Sequence, residues 1–351
     1  NVLIDLISLI PYNGKRVIIS ERGKAMAVTA KDLAKKLNLS EAAVSMALNH
    51  KPGVSTKTRQ RVLQAAEEMG FDLTKWTEAA KKPPVRQGTV TLIIYKKHGA
   101  IVTDSPFFSQ LTEGIQQGCK QADYSLNICY FYEEDDIEKQ LKALPYCNGI
   151  ILLATEMRAE DFKPFYNLSL PLVVLDTYYD SLPWDCVLIN NLQGAFSATN
   201  YIIQHTKSQP GYLRSAYPIG NFNERADGFF RAIRANGMSA SKSQMLYLTP
   251  STEGAYADMC TLLQSGEEPV KCYFADNDSI AIGAIKAFRE AGYRIPQDIS
   301  IIGFDNIPLC TYVDPSLTTI HVPKQYMGRM AVQRLIQTLQ ETEHYPTKIE
   351  I

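Results

Sequence analysis

Several absences narrow the possibilities first. No run of apolar residues approaches the ~20 needed to span a bilayer; the apolar stretch Val2–Ile10 is broken by Asp5. That stretch has no basic residues ahead of it and no small-residue cleavage site behind it, so it is a poor secretion signal. The seven cysteines are scattered, odd in number and without a Cys-x-x-Cys pair or metal-like spacing with the five histidines. Reduced thiols are expected rather than a disulfide framework or a metal site. No Gly-x-Gly-x-x-Gly, no phosphate-binding loop and no Ser/His/Asp spacing is present, so neither a catalytic residue nor a cofactor is expected. The net charge of −1 excludes no partner by itself.

What is present begins at Met26. Thr29 is placed as the N-cap of a first helix, with Asp32 near its positive end. Leu33, Ala34 and Leu37 form the apolar face. Asn38 and Leu39 make a short turn, and Ser40 caps a second helix, Glu41 to Leu48, with Val44, Ala47 and Leu48 at helical spacing. A third helix follows Ser55-Thr56, carries Val62, Leu63, Ala66 and Met69 on one face and ends at Gly70. Two short helices with small residues at their crossing pack steeply, freeing the outer face of the second for a major groove. From Met26 to Lys82 there are ten basic and six acidic residues. This local basic excess suits phosphate contact.

After Pro83-Pro84 the pattern becomes alternating strand and helix. Strands are expected at Thr89–Tyr95, Leu126–Tyr132, Gly149–Leu153, Leu172–Leu175, Val187–Ile189, near Tyr212, and at Met245–Leu248, Cys272–Phe274 and Ile299–Ile302. Helices are expected at 107–122, 137–144, 194–205, 222–236, 253–264 and 279–291. Short, continuously apolar strands between helices mean parallel sheets covered on both faces. The elements are too many for one core, which predicts two doubly wound subdomains with a ligand crevice at the carboxyl ends of their strands.

The wording of these segments resembles the lactose-repressor (LacI/GalR) family of bacterial transcriptional regulators. Val28-Thr-Ala-Lys-Asp-Leu-Ala34, Leu39-Ser-Glu-Ala-Ala-Val-Ser45, Ala47-Leu-Asn49 and Val54-Ser-Thr-Lys-Thr-Arg59 match its headpiece. Ser105-Pro-Phe-Phe-Ser109, Asn148-Gly-Ile-Ile151, Asn223-Glu-Arg-Ala-Asp-Gly-Phe229, Ala275-Asp-Asn-Asp-Ser-Ile-Ala-Ile-Gly283, Ile302-Gly-Phe-Asp305 and Pro315-Ser-Leu-Thr-Thr-Ile320 match its effector domain. The resemblance runs to about Leu339.

It implies an α/β protein: a three-helix helix-turn-helix headpiece plus two doubly wound parallel-sheet subdomains of the periplasmic-binding-protein-like type. The expected division is a non-native leader at 1–25, the headpiece at 26–71, a hinge at 72–86 and the effector and dimerisation domain at 87–351. Within the last, subdomain 1 takes 87–188 and 320–351, and subdomain 2 takes 189–319. The leader is expected because Glu21-Arg22-Gly23 can be encoded by a purine-rich ribosome-binding sequence just ahead of Met26.

By the same resemblance Glu41, Ala42 and Met46 occupy base-facing positions. Thr29, Ser40, Ser45, Asn49 and Lys57 belong to the DNA-binding set, with backbone contacts usual at Ser40, Ser45 and Asn49. None of the three base-facing residues offers the arginine fork to guanine, so phosphate contacts should carry most of the affinity. The hinge departs from the family. Ala80 stands where a leucine wedges the minor groove and Glu78 where a basic residue is common. Trp76 has two roles open, minor-groove wedge or packing on the body.

Effector contacts carry over to Phe108, Arg225, Asn277, Asp278 and Asp305, with Lys96 and Tyr256 nearby. Lys96 would suit a phosphate or an acidic sugar. Two further departures are Thr206-Lys-Ser-Gln-Pro-Gly211 in place of the family's Gly-His-Arg, and the lack of its usual last strand after Ile351, which leaves sheet completion in subdomain 1 open. The implied function is a cytoplasmic, nucleoid-associated, homodimeric repressor of a carbohydrate operon, binding a double-stranded operator and a sugar-like effector, with no membrane partner. The alternative is a solute-binding protein of a transport system, which shares the body but needs a signal sequence and no headpiece.

Overall fold

In the computed structural model the described residues are 28–48, 53–71, 87–97, 102 and 105–351. They fall in two compact units divided between Val85 and Arg86. The expected leader and hinge, with Asn49, Trp76, Glu78 and Ala80, lie outside the described residues.

The first unit holds α1 (Ala30–Leu37), α2 (Glu41–Leu48) and α3 (Thr56–Glu68). Thr29 and Asp32 form a reciprocal capping box: the Thr29 side chain accepts from the Asp32 N–H at 3.3 Å, and the Asp32 carboxylate accepts from the Thr29 N–H at 2.8 Å. Asn38 closes α1 in a left-handed conformation, φ 53°. Ser40 Oγ accepts from the Ala43 N–H at 3.2 Å and starts α2. Leu33, Val44, Ala47, Val62 and Ala66 bury their side chains in one small core. The three helices and their caps are those the sequence predicts.

The second unit contains two sheets in which every described pairing is parallel. The first consists of β1 (Gly88–Lys96), β2 (Tyr124–Tyr132), β3 (Gly149–Leu153), β4 (Leu172–Leu175), β5 (Asp185–Leu188) and β11 (Lys348–Glu350), ordered β2-β1-β3-β4-β5-β11. The second consists of β6 (Gly211–Ser215), β7 (Met245–Leu248), β8 (Cys272–Ala275), β9 (Ser300–Asp305) and β10 (Thr318–His321), ordered β7-β6-β8-β9-β10. In both, the first strand lies second from one edge, so chain direction across the sheet reverses beside it. That reversal opens a crevice at the carboxyl ends of the strands.

The helices of this unit are α4 (Pro106–Gln121), α5 (Ile137–Lys142), α6 (Asn191–Thr206), α7 (Gly220–Ala235), α8 (Thr252–Gln264), α9 (Asp278–Glu290) and α10 (Lys324–Gln340). The chain crosses from the first sheet to the second between β5 and α6, and returns between β10 and α10. The strand–helix alternation of the sequence leaves α10 unassigned, yet it packs tightly along α4. Gly114 and Gly328 permit this, since a Cβ on either would overlap the facing helix backbone.

Subdomain 1 gains an edge strand from Lys348–Glu350 itself, which pairs with β5. Buried Asp185 ties that edge down, forming an ion pair with Arg334, Nε to Oδ1 2.9 Å, and accepting from the Thr347 N–H at 2.8 Å. Among the described residues no helix is long and apolar enough to cross a membrane.

Candidate DNA-reading helix and ligand crevice

On α2, burial of Val44, Ala47 and Leu48 turns the opposite face outward. Glu41 and Ala42 are exposed, while Ser45 and Met46 are half-buried. The Met46 sulfur rests against Gly53, whose φ of 115° suits glycine. Ser40 spends its oxygen on the helix cap, and Thr29 is engaged with Asp32. Lys57 is exposed in the first turn of α3. Two hydrogen bonds from Thr29 hold the Asp32 carboxyl below its ordinary range.

In the second unit the carboxyl ends of both sheets converge on one cleft. Ser105, Phe107 and Phe108 follow β1, Thr155 follows β3, Asp176 follows β4 and Ile189 follows β5. From the other half come Ile219, Asn221, Phe222 and Arg225 after β6, Pro250 after β7, Asn277 after β8 and Asp305 at the end of β9. Each is put there by a local device. Ser105 caps α4, with Pro106 in its first turn, and so sets Phe107 and Phe108 at the cleft. The two rings meet edge to face, centroids 5.0 Å apart. Asn277 caps α9 by accepting from the Ile280 N–H at 2.9 Å. Asn221 and Arg225 are one helical turn apart on α7 and face the same way.

Arg225 is the centre of the floor. Its guanidinium lies over the Phe304 ring at 3.8 Å. It donates to Asn191 Oδ1 at 2.9 Å and to the Asp276 carbonyl at 2.5 Å, and approaches Asp305 Oδ1 at 3.2 Å. That oxygen of Asp305 is buried and accepts no well-aligned hydrogen bond. Asp176 and Asp305 both sit at positive φ, 67° and 110°, a costly conformation for a residue with a Cβ and one that concentrates at ligand sites. Lys324, buried at the start of α10, donates to the carbonyls of Asp305 and Asn306 at 2.5 and 3.1 Å.

Burial is the largest influence on the ionisable groups here. It pushes the Asp176 and Asp278 carboxyls up to about 7, and Asp276 up to about 6. It raises Asp305 against the pull of Arg225 and Lys324, and lowers Lys324. Among the described residues no group of three or more His, Cys, Asp or Glu is placed to hold a metal ion.

Of the residues expected at the effector site, Phe108, Arg225, Asn277 and Asp305 line the crevice together. The other three are elsewhere. Lys96 ends β1 over the Tyr130 ring at 4.5 Å, because its neighbour is the edge strand β2. Tyr256 lies between α8 and α9, its hydroxyl on Glu290 and its ring under Lys286.

Asp278 lies beneath the floor, accepting from the Ile307 N–H at 2.9 Å and the Thr319 hydroxyl at 2.5 Å. It braces the turn after Asp305, and Gly303 lacks the Cβ that would collide with it. The ion-pair partner of Arg225 is Asp305. Thr155, Asp176, Asn191, Asn221 and Lys324 were not foreseen. For Thr155 and Asp176 a signal existed: each is a polar residue one or two positions past a fully buried strand.

Comparisons with known proteins agree with this architecture. Residues 29–72 match the family described as bacterial regulatory proteins, lacI family, and residues 211–351 match the periplasmic binding protein-like domain. The chain is 30% identical over 329 residues to the HTH-type transcriptional repressor PurR of Pasteurella multocida, covering 92% of this chain and 95% of that one. It is 28% identical over 326 residues to the ribose operon repressor of Haemophilus influenzae, covering 92% and 95%. A LacI family transcriptional regulator from Enterococcus faecium, solved with bound ribose, superposes with a TM-score of 0.65 at 25% identity, over 74% of this chain and 94% of that chain. Three capped helices, two parallel sheets meeting at one crevice and identity along nearly the whole length therefore place the chain in the lacI family of bacterial regulatory proteins, DNA-binding transcriptional regulators and not enzymes.

Proposed function

We propose that this protein is a cytoplasmic, homodimeric repressor of a carbohydrate-utilisation operon, and that its effector is a neutral polyhydroxylated molecule bound between the two sheets. The observation that carries the effector class is the charge balance of the crevice. Asp176 and Asp305 line it with a single arginine, and Arg225 already has Asn191, Asp276 and Asp305 as partners. Asp305 retains an oxygen without an aligned donor. A site richer in acceptors than in free donors favours hydroxyl groups over phosphate or carboxylate. With Lys96 outside the crevice, the acidic-sugar hint loses its support. Phe107, Phe108 and Phe222 offer an apolar wall for the carbon face of a sugar ring. The ribose-bound relative supports the same class.

Glu41, Ala42 and Met46 are proposed to face bases, and Ser40, Ser45, Asn49 and Lys57 the phosphate backbone. Thr29 serves in the same set through the start of α1. Trp76 keeps both of its roles. Effector occupancy would change the angle between the subdomains, and with it the spacing of paired headpieces on a pseudo-palindrome.

A thermal-shift screen tests the effector class. Neutral pentoses, hexoses and disaccharides are compared with their phosphates and with planar purine bases. A ligand at a hundred times its dissociation constant should add about 2.7 kcal/mol of stability. Stabilisation by phosphorylated sugars alone, or by bases alone, overturns the neutral-sugar reading. With the sugar so found, Asp305→Ala should lose at least about tenfold in affinity, since a hydrogen bond to a charged group is worth roughly 1.5–3 kcal/mol. Operator affinity without the sugar should be unchanged.

A further inference from the structure

The two halves of the crevice are joined by side chains as well as by the crossing segments. Asp176 directly follows β4 of the first sheet; Asn221 lies in the first turn of α7 beside the second. Asn221 Nδ2 donates to the Asp176 carboxylate at 3.0 Å and to its carbonyl at 3.1 Å. Each end is braced from its own side. The Thr155 hydroxyl donates to the other Asp176 oxygen at 2.6 Å. Asn191 Nδ2 donates to Asn221 Oδ1 at 3.2 Å, and Asn191 Oδ1 in turn accepts from Arg225 Nε. An unbroken chain of contacts therefore runs Thr155–Asp176–Asn221–Asn191–Arg225–Asp305. Asp176 and Asn221 are 2% and 8% exposed, so their bond is largely shielded from water.

We infer that Asn221 and Asp176 form a latch that keeps the halves of the crevice together in the effector-free protein. An effector then acts by exchanging hydrogen bonds with a latch already closed, instead of drawing open halves together. Three features fit that role. Asp176 is held at φ 67°, so its carboxylate is aimed before any ligand arrives. Its described hydrogen-bond partners, Thr155 and Asn221, are neutral, so a ligand hydroxyl can replace either donor without separating an ion pair. Its connection to Arg225 passes through two asparagines, so a ligand on Asp305 and Arg225 pulls on the same chain of bonds.

The proposal deepens the reading of this crevice as the effector site and rests on it, but its test uses no effector. Amide exchange is followed by mass spectrometry in the effector-free full chain, on peptides covering 154–157 and 219–222. Small-angle scattering of the same samples reports closure. Asn221→Ala and Asp176→Ala should each speed exchange in those peptides by about tenfold, the effect of losing one buried hydrogen bond, and enlarge the radius of gyration. The double variant should fall short of the sum of the singles, because the bond between the two side chains is lost in all three. Exchange in β3 and β8 should stay as in the parent, which a general loss of stability would not allow. If Asn221→Ala does not fold, Asn221→Ser, too short to reach Asp176, replaces it. Unchanged exchange in the single variants, or additive effects in the double, overturns the latch. A sugar screen that fails beside a positive exchange result removes the sugar reading and leaves the latch; the reverse removes only the latch.

Discussion

On α2, Glu41 and Ala42 stand exposed on a regular helix that Ser40 starts with one local hydrogen bond. In the crevice, Asp176 and Asp305 sit on strand ends at positive φ, and their partners come from distant parts of the chain. The first region works by what it leaves free on an ordinary backbone. The second works by what it buries, with carboxylates and cations held in each other's fields and away from water. A surface of the first kind should respond to salt and tolerate single changes. A floor of the second kind should resist salt and fail when one charge is removed.

The largest contrast is expected from ionic strength. If six to ten phosphates are contacted per dimer, operator affinity should fall roughly 10³–10⁵-fold between 50 and 200 mM salt. Binding of a neutral sugar in the crevice should change little over the same range. Fluorescence anisotropy with operator DNA and calorimetry with the sugar give the two slopes, and a flat operator slope breaks the contrast.

Next comes Arg225→Met, which removes the cation paired with the buried Asp305 carboxylate and leaves it only the field of Lys324. Breaking such a pair costs about 3–5 kcal/mol. The melting transition of the crevice-containing unit should drop accordingly, while that of an isolated headpiece fragment carries no such dependence. A loss below about 1 kcal/mol would show that Asp305 is neutral or solvated in the folded protein.

A smaller effect is expected at the cap of α1. Thr29→Ala removes the hydroxyl from the capping box, worth about 1 kcal/mol of helix stability, and should weaken operator binding without touching the sugar affinity. Equal operator affinity in the variant would show that α1 is held by the core of Leu33, Val44 and Val62 alone.

The effect of pH separates the two regions by sign. Asp32 in the headpiece is held below its ordinary value of 3.8 by Thr29. Its contribution to stability is therefore present near neutrality and lost as pH falls through the acid range. Asp176, Asp276 and Asp278 are raised by burial to about 7, 6 and 7. Their contribution is present at low pH, below the unfolded value, and lost as pH rises through 6 to 7. The crevice-containing unit should therefore melt at a lower temperature at pH 8 than at pH 5.5. Of the groups facing these carboxylates, Arg225 tempers the slope at Asp176 and Asp276, the like charge of Asp305 steepens it at Asp176 and Asp278, and Asp176→Asn should flatten it. A slope unchanged in Asp176→Asn assigns the dependence to another group.

Local signals made the headpiece readable from sequence. Thr29 with Asp32, Ser40, and the spacing of Val44, Ala47 and Leu48 act within a few residues of one another, and the same caps and buried faces recur in the structure. The apolar strands Gly149–Leu153 and Leu172–Leu175 were equally plain, because strands buried on both faces need no pattern beyond continuous apolarity. Phe108, Arg225, Asn277 and Asp305 could be named because short motifs surround them. Lys96, Tyr256 and Asp278 were misplaced for one reason: nearness to a strand end in sequence does not say which way the side chain turns. Lys96 turns to the edge strand, Tyr256 to the neighbouring helix and Asp278 beneath the floor.

By itself the sequence determined the class of architecture, the three capped helices, the alternation that builds two parallel sheets and the family to which the chain belongs. Tertiary structure alone decided that Lys324 reaches the carbonyls of Asp305 and Asn306, that Lys348–Glu350 completes an edge, and that Asn221 meets Asp176. Caps and periodicity are set by neighbours a few residues away, so they are written in local order. A contact between two sheet ends depends on how both sheets twist and where the chain crosses between them, and that is settled only when the whole unit packs.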